Sequence, residues 1–316
     1  MEIKHQVTHP REFTIGNWWE ITKRVVQKIQ QGNMSLIAAG VAFYFLLAVF
    51  PLLAALISMY GFFVEPETLS QHINILIGVI PEQSRSILEE QISGLVSTDN
   101  KALSISFFIS LLLTIWSGGK SSVALITACN ISYQENERRS FFKMIIARIV
   151  LTLATVTFIL LMLLLVVVIP LLLTYVNESS RNILALLTWP LLLLLFSLSL
   201  SCLYKYAPHR TTAKWRWVIP GALFATFFWL GGSFLFNLYI AHFAGYNKTY
   251  GSMGGVIILL MWFYVTAYTV LLGAEINAAS ELQTRSDSTI GQEKPLGDRG
   301  AYVADNGPKQ NKQHET

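Results

Sequence analysis

The chain has 316 residues, 53% of them hydrophobic and only 13% charged, against the ~25% charged residues of soluble domains. Its apolar residues lie in blocks too long for globular helices, which excludes a pair of soluble domains. The net charge of +4 needs no nucleic-acid partner, because basic loops held at an anionic lipid surface account for it.

Residues 1–34 form a polar N-terminal segment without the short apolar core and small-residue cleavage site of a signal peptide. Within it, REFTIGNWWEITKRVVQKIQQ (11–31) sets Trp18, Trp19, Ile21, Val25, Val26 and Ile29 among lysines and arginines. That pattern predicts an amphipathic helix lying in the headgroup plane. Six apolar blocks follow between 35 and 280: Ile29–Val64, Ala102–Gln134 (interrupted only by Lys120), Ile149–Asn177, Asn182–Tyr204, Trp217–Asn247 and Thr249–Ala274. Each exceeds the ~20 residues that a helix needs to cross a bilayer, and none shows the period-2 alternation of a membrane barrel. The predicted fold class is therefore all-α: a polytopic membrane protein with six transmembrane helices and interfacial amphipathic helices.

The segment 65–101, between the first two spans, carries LSQHINILIGVI and SRSILEEQISGLV, which predict two short amphipathic helices. The tail 281–316 is polar and rich in glycine and charge, and is expected to be disordered. Eighteen of the 23 lysines and arginines fall in the N-terminal segment, the second and fourth loops and the tail, and four in the opposite loops. By the positive-inside rule both termini face the cytoplasm of a multi-pass protein in the bacterial inner membrane.

Lys120 sits in TIWSGGKSS (114–122). Gly119-Lys120-Ser121 resembles the end of a P-loop, but the first glycine of that motif would have to be residue 114, which is threonine, and no strand precedes it. The block around Lys120 would be about 50 Å long as one helix. Either it tilts and projects from the membrane, or Gly118 and Gly119 break it. A lysine at that depth is costly, and three readings stay open: a functional cation facing the interior or an anionic ligand, a side chain snorkelling to the interface, or a member of a buried pair. Arg138 and Arg139, in the second loop, are candidates for attracting anionic lipid. Glu275, near the end of the last block, is a candidate for an ion pair with Arg148 or Lys205, or with Lys120, from which its expected depth differs.

No pair of carboxylates, metal-ligand spacing or nucleophile motif stands out, so no catalytic residue, metal or cofactor is assigned. Cys129 and Cys202 both fall in apolar blocks and read as small buried residues.

Several stretches together, LIAAGVAFYFLLAVFPLL (36–53), IWSGGKSSVALITACNISYQENERRSF (115–141), YAPHRTTAKWRWVIPGALFAT (206–226) and YGSMGGVIILLMWFYVTAYTVLLGAEINA (250–278), resemble the YihY/BrkB family of bacterial inner-membrane proteins. The resemblance spans roughly residues 15–280 and implies a six-helix bundle. It also carries an old ribonuclease label, which the residues do not support: nothing supplies a metal-bound water or an acid–base pair facing RNA. Some relatives are linked to export of lipid precursors. The expected function is transport or flipping of an anionic lipid or similar amphipath, with Lys120, Gly118, Gly119, Arg138 and Arg139 as candidate binding residues. The alternative is a non-transporting scaffold for envelope assembly. The expected partners are membrane lipids and envelope-assembly proteins, with no nucleic acid.

Overall fold

The computed structural model describes residues 7–61, 100–173, 178–242 and 253–307. The two amphipathic helices expected in 65–101 lie outside the described residues, as does the end of the tail. Among the described residues the fold is all helical, and six helices are long and apolar enough to cross a membrane.

The amphipathic segment forms α1 (Ile15–Gln31). Thr14 caps it by accepting from the Asn17 N–H, and Gly32 closes it by donating its N–H to the Lys28 carbonyl at 2.7 Å. Asn33 takes a left-handed φ of 50°, which turns the chain into the first span. One stripe of α1 buries Ile21 and Val25 against Ile276 and Ala279 of the last span. The other displays Ile15, 90% exposed, with Trp19 and Val26, and Lys23 reaches back over the Trp19 ring.

The spans are α2 (Met34–Gly61), α3 (Asn100–Ser132), α4 (Phe141–Leu173), α5 (Glu178–Tyr206), α6 (Trp215–His242) and α7 (Met253–Glu281). Each packs on its neighbour in chain order and α7 returns to α2, so the six close into a ring, with α7 also touching α3. The corner formed by α2, α3, α6 and α7 is built on small residues: Ala38, Ala128, Ala222, Ala225, Ala267, Ala274 and Ala278 are all buried. Small side chains let helix backbones approach where no water-driven force holds them together. A close approach joins α6 to α7. Asn277 accepts from the Gly221 N–H at 2.7 Å and donates to the Val218 carbonyl at 2.9 Å. A Cβ on Gly221 would overlap the Gly273 carbonyl oxygen.

A chain of aromatic rings crosses the bundle. Phe158 of α4 meets Phe196 of α5 at 6.3 Å, Phe196 meets Trp229 of α6 at 4.8 Å, and Trp229 meets Trp262 of α7 at 6.2 Å. Phe263 continues the chain to Phe45 of α2 at 6.0 Å. Five of the six spans thus contribute a ring to one continuous layer.

One open alternative closes here, and one expectation changes. α3 runs unbroken through Gly118 and Gly119. The pair serves packing instead: a Cβ on Gly118 would press on the Thr152 methyl of α4, and Gly119 lies directly beneath the Arg148 guanidinium. The tail, expected to be disordered from 281, is folded as far as Gly307. It pairs Thr289 with Ala213 in a single antiparallel bridge and forms a short helix, α8 (Tyr302–Asp305), with Val303 fully buried. Arg299 organises it by donating to the carbonyls of Arg285, Ser286, Lys294 and Ala304 at 2.8 to 3.2 Å. A polar composition signals disorder only when its polar groups must find water; these find one another.

Candidate functional site

Lys120 lies within the apolar part of α3, about 18 Å from its Ser132 end at 1.5 Å per residue. It does not point into the ring. Its half-buried side chain lines an open groove of about 460 Å³ on the outer surface of α3, walled by Ile37, Gly40, Val41 and Tyr44 of α2 and by Arg148 of α4. The Lys120 ammonium stands 4.0 Å above the Trp116 ring. Arg148, about two helical turns from the start of α4, crosses Gly119 and donates to the Trp116 carbonyl at 3.1 Å. Trp116 therefore holds both cations, one by its ring and one by its backbone. The Ser121 hydroxyl donates to the Tyr44 carbonyl at 2.8 Å and fixes α2 beside them.

Among the described residues neither cation has a carboxylate partner. Among the described residues the two ion pairs are Arg139–Glu137 and Arg210–Glu281. A lone cation within an apolar span is costly, and two in one groove repel one another. The arrangement is a patch of positive potential beside an apolar surface. Among the binding residues expected from sequence, Lys120, Gly118 and Gly119 belong to this region and Arg138 and Arg139 do not. Arg138 is exposed, and its backbone N–H donates to the His209 ring. Arg139 is committed to Glu137 and to the Ala207 carbonyl at 2.9 Å.

The expected pair between Glu275 and Arg148 is not formed. Arg148 turns away towards Trp116. Glu275 is buried on α7, in the neighbourhood of Ser132 of α3 and Lys28 of α1. Lys205, another partner considered, sits 4.0 Å above the Trp215 ring.

A second cluster, unforeseen in the sequence, closes the end of the ring that carries both termini. Arg210, in the loop between α5 and α6, meets Glu281 through two hydrogen bonds of 2.7 and 3.0 Å, and both side chains are wholly buried. Ser288 donates to the same carboxylate at 2.7 Å, and the guanidinium lies 4.1 Å over the Tyr133 ring. Burial works against the charge on Arg210, but the Glu281 carboxylate holds its pKa above the ordinary arginine value. Asn130 ties this loop to the one between α3 and α4, accepting from the His209 N–H at 2.7 Å and donating to Glu137 at 2.9 Å. The tail crosses this end: Lys214 donates its N–H to the Ser288 carbonyl at 2.8 Å, and Tyr302 donates its N–H to Glu135 at 2.6 Å. The available signal was an arginine and a glutamate beside apolar blocks, with nothing to show that they meet.

Among the described residues, no group of three or more His, Cys, Asp or Glu side chains is placed to hold a metal ion.

Comparison with known proteins fits this architecture. A family model described as Virulence factor BrkB matches residues 25–297. A Bacillus subtilis protein named putative ribonuclease-like protein YfkH is 32% identical over 247 residues, covering 76% of this chain and 88% of that one. A UPF0761 membrane protein of Psychromonas ingrahamii is 26% identical, covering 85% of this chain and 91% of its own. PSHAa0171 of Pseudoalteromonas translucida, also named a UPF0761 membrane protein, is 24% identical over 86% of this chain and 88% of its own. No solved structure matches. With six candidate spans and a family match over most of its length, the chain belongs to the BrkB (YihY) family of integral membrane proteins.

Proposed function

We propose that this protein binds an anionic amphipath within the bacterial inner membrane and carries its headgroup through the hydrocarbon region along the groove on α3. One observation carries the reading: Lys120 and Arg148 line the same lipid-facing groove at membrane depth, and neither has a carboxylate partner among the described residues. A headgroup phosphate would accept from both cations through charge-assisted hydrogen bonds and would offset their mutual repulsion. The distribution of basic residues supports a membrane orientation with both termini in the cytoplasm. The groove then opens from the bilayer midplane towards the inner leaflet. We read the protein as a carrier and not an enzyme. The ribonuclease-like name of the B. subtilis relative would need free acid–base groups facing RNA, whereas Glu281 and Glu137 are held by Arg210 and Arg139.

The test is native mass spectrometry of protein extracted together with its surrounding lipid, comparing wild type with Lys120→Met and Arg148→Met. Each hydrogen bond to a charged group is worth about 1.5–3 kcal/mol. Each substitution is therefore expected to cut selective retention of an anionic lipid about tenfold or more. Equal retention in all three proteins would overturn the reading and leave an envelope-assembly scaffold as the alternative.

A further inference from the structure

On the opposite side of α3 from the groove, a cavity of about 120 Å³ lies between α2, α3, α4 and α7, walled by Phe45, Thr114, Gly118, Ser122, Thr152 and Phe263 among others. Its hydroxyls are already engaged. Ser122 and Thr152 share a hydrogen bond of 2.9 Å, Thr152 donates to the Arg148 carbonyl at 2.8 Å, and Thr114 donates to the Ser110 carbonyl at 2.7 Å. The space they enclose is consequently apolar. A dry cavity of about 150 Å³ takes a benzene-sized guest, so this one fits the last few methylenes of an alkyl chain.

The partition between cavity and groove is thin. Gly118 faces the cavity, and its neighbour Gly119 offers the groove bare backbone covered by the Arg148 guanidinium. Arg148 and Thr152 stand one turn apart on the same face of α4. The helix that carries them is the least embedded of the six: 6% of its apolar window is buried, against 39% in α3. Beside the Ser122–Thr152 contact, the Arg148 side chain thus covers the α3–α4 seam between a cationic groove and an apolar cavity.

We propose that the cavity is the tail site of the same amphipath whose headgroup binds at Lys120 and Arg148, and that Arg148 is the movable bar between them. An anion drawing the guanidinium off the Trp116 carbonyl uncovers the glycine pair, over which the chain passes between α3 and α4. The inference rests on the groove reading and adds the ligand's second half.

The experiment places a single thiol in the cavity, Ser122→Cys with Cys129→Ala and Cys202→Ala, in nanodiscs of phosphatidylcholine, and measures its labelling by a membrane-permeant maleimide. Arg148→Ala, and separately Arg148→Gln, should speed labelling at least fivefold in the absence of any anionic lipid. An unchanged rate in both overturns the bar. With Arg148 present, dioctanoyl phosphatidylglycerol should slow labelling several-fold over the range in which it binds, and Lys120→Met should abolish that protection. Binding without protection overturns the tail site while leaving the groove standing. No binding of this lipid above a neutral lipid of equal chain length overturns the groove reading itself, and the tail site with it.

Discussion

Removing Glu281 should be the most damaging single change at the terminal end of the bundle. In Glu281→Leu the Arg210 guanidinium stays where it is, wholly buried and over the Tyr133 ring, but without the carboxylate that accepts its two hydrogen bonds. Stripping one partner from a buried pair costs about 3–5 kcal/mol, because the remaining charge has nowhere to go. Both side chains are fully withdrawn from solvent, so no screening softens that figure. At about 2–4 °C per kcal/mol for a chain of this size, the melting temperature should fall by roughly 6–20 °C. The assay is loss of the monodisperse peak in fluorescence-detected size exclusion after heating in mild detergent. The double variant Arg210→Met, Glu281→Leu removes both charges together and should recover most of the loss. A single variant that melts within about 2 °C of wild type, or a double variant that falls by the sum of the two singles, would refute the reasoning.

Two further outcomes follow from the packing and the tail. Gly221→Ala forces a methyl into the Gly273 carbonyl oxygen and the Asn277 amide, while Gly231→Ala meets nothing within 4 Å. The first should lose about 1–3 kcal/mol by overpacking and the second should melt like wild type, both read by the same heating assay. Asp287 accepts from Thr289 twice, at 2.7 and 2.8 Å, and from the Lys294 N–H at 3.0 Å. Burial opposes its charge, but these hydrogen bonds and the nearby Arg299 hold its carboxyl below the ordinary value of 3.8. A depressed native pKa stabilises above the unfolded value and loses that contribution as pH falls through the native one. The tail should therefore resist limited proteolysis by an acid protease at pH 5 and loosen below about pH 3.8, whereas Asp287→Asn should show no such step.

The spans were legible because hydrocarbon thickness imposes a length that continuous apolar runs reveal directly. Lys120 was legible for the same reason: a charge interrupting such a run has few harmless explanations. Its direction was not, because the helix's inner and outer faces differ little in polarity, and only the position of α2 and α4 shows that residue 120 faces outward. The sequence left open a break at Gly118 and Gly119 or a long continuous helix, because glycine advertises backbone freedom; the helix is continuous, and the pair matters for the room it leaves to Thr152 and Arg148. Arg210 and Glu281 are 71 residues apart, one in a loop and one at a helix end, and no local pattern joins them. The folded tail was hidden in a similar way, since composition counts polar groups without showing that Arg299 would gather four carbonyls.

The pairing of Arg210 with Glu281 also sets a schedule for biosynthesis. Arg210 leaves the ribosome well before its partner, and at ~5–20 residues per second the intervening 71 residues take roughly 4–14 s to make. During that interval the arginine has no carboxylate to neutralise it, and α2 still lacks the helix that closes the ring. The newborn chain must wait half-assembled at the insertion machinery. Its final helix delivers the missing counter-charge and the closing wall in one step, so a truncation that spares every earlier span still leaves the arginine unpaired and the ring open.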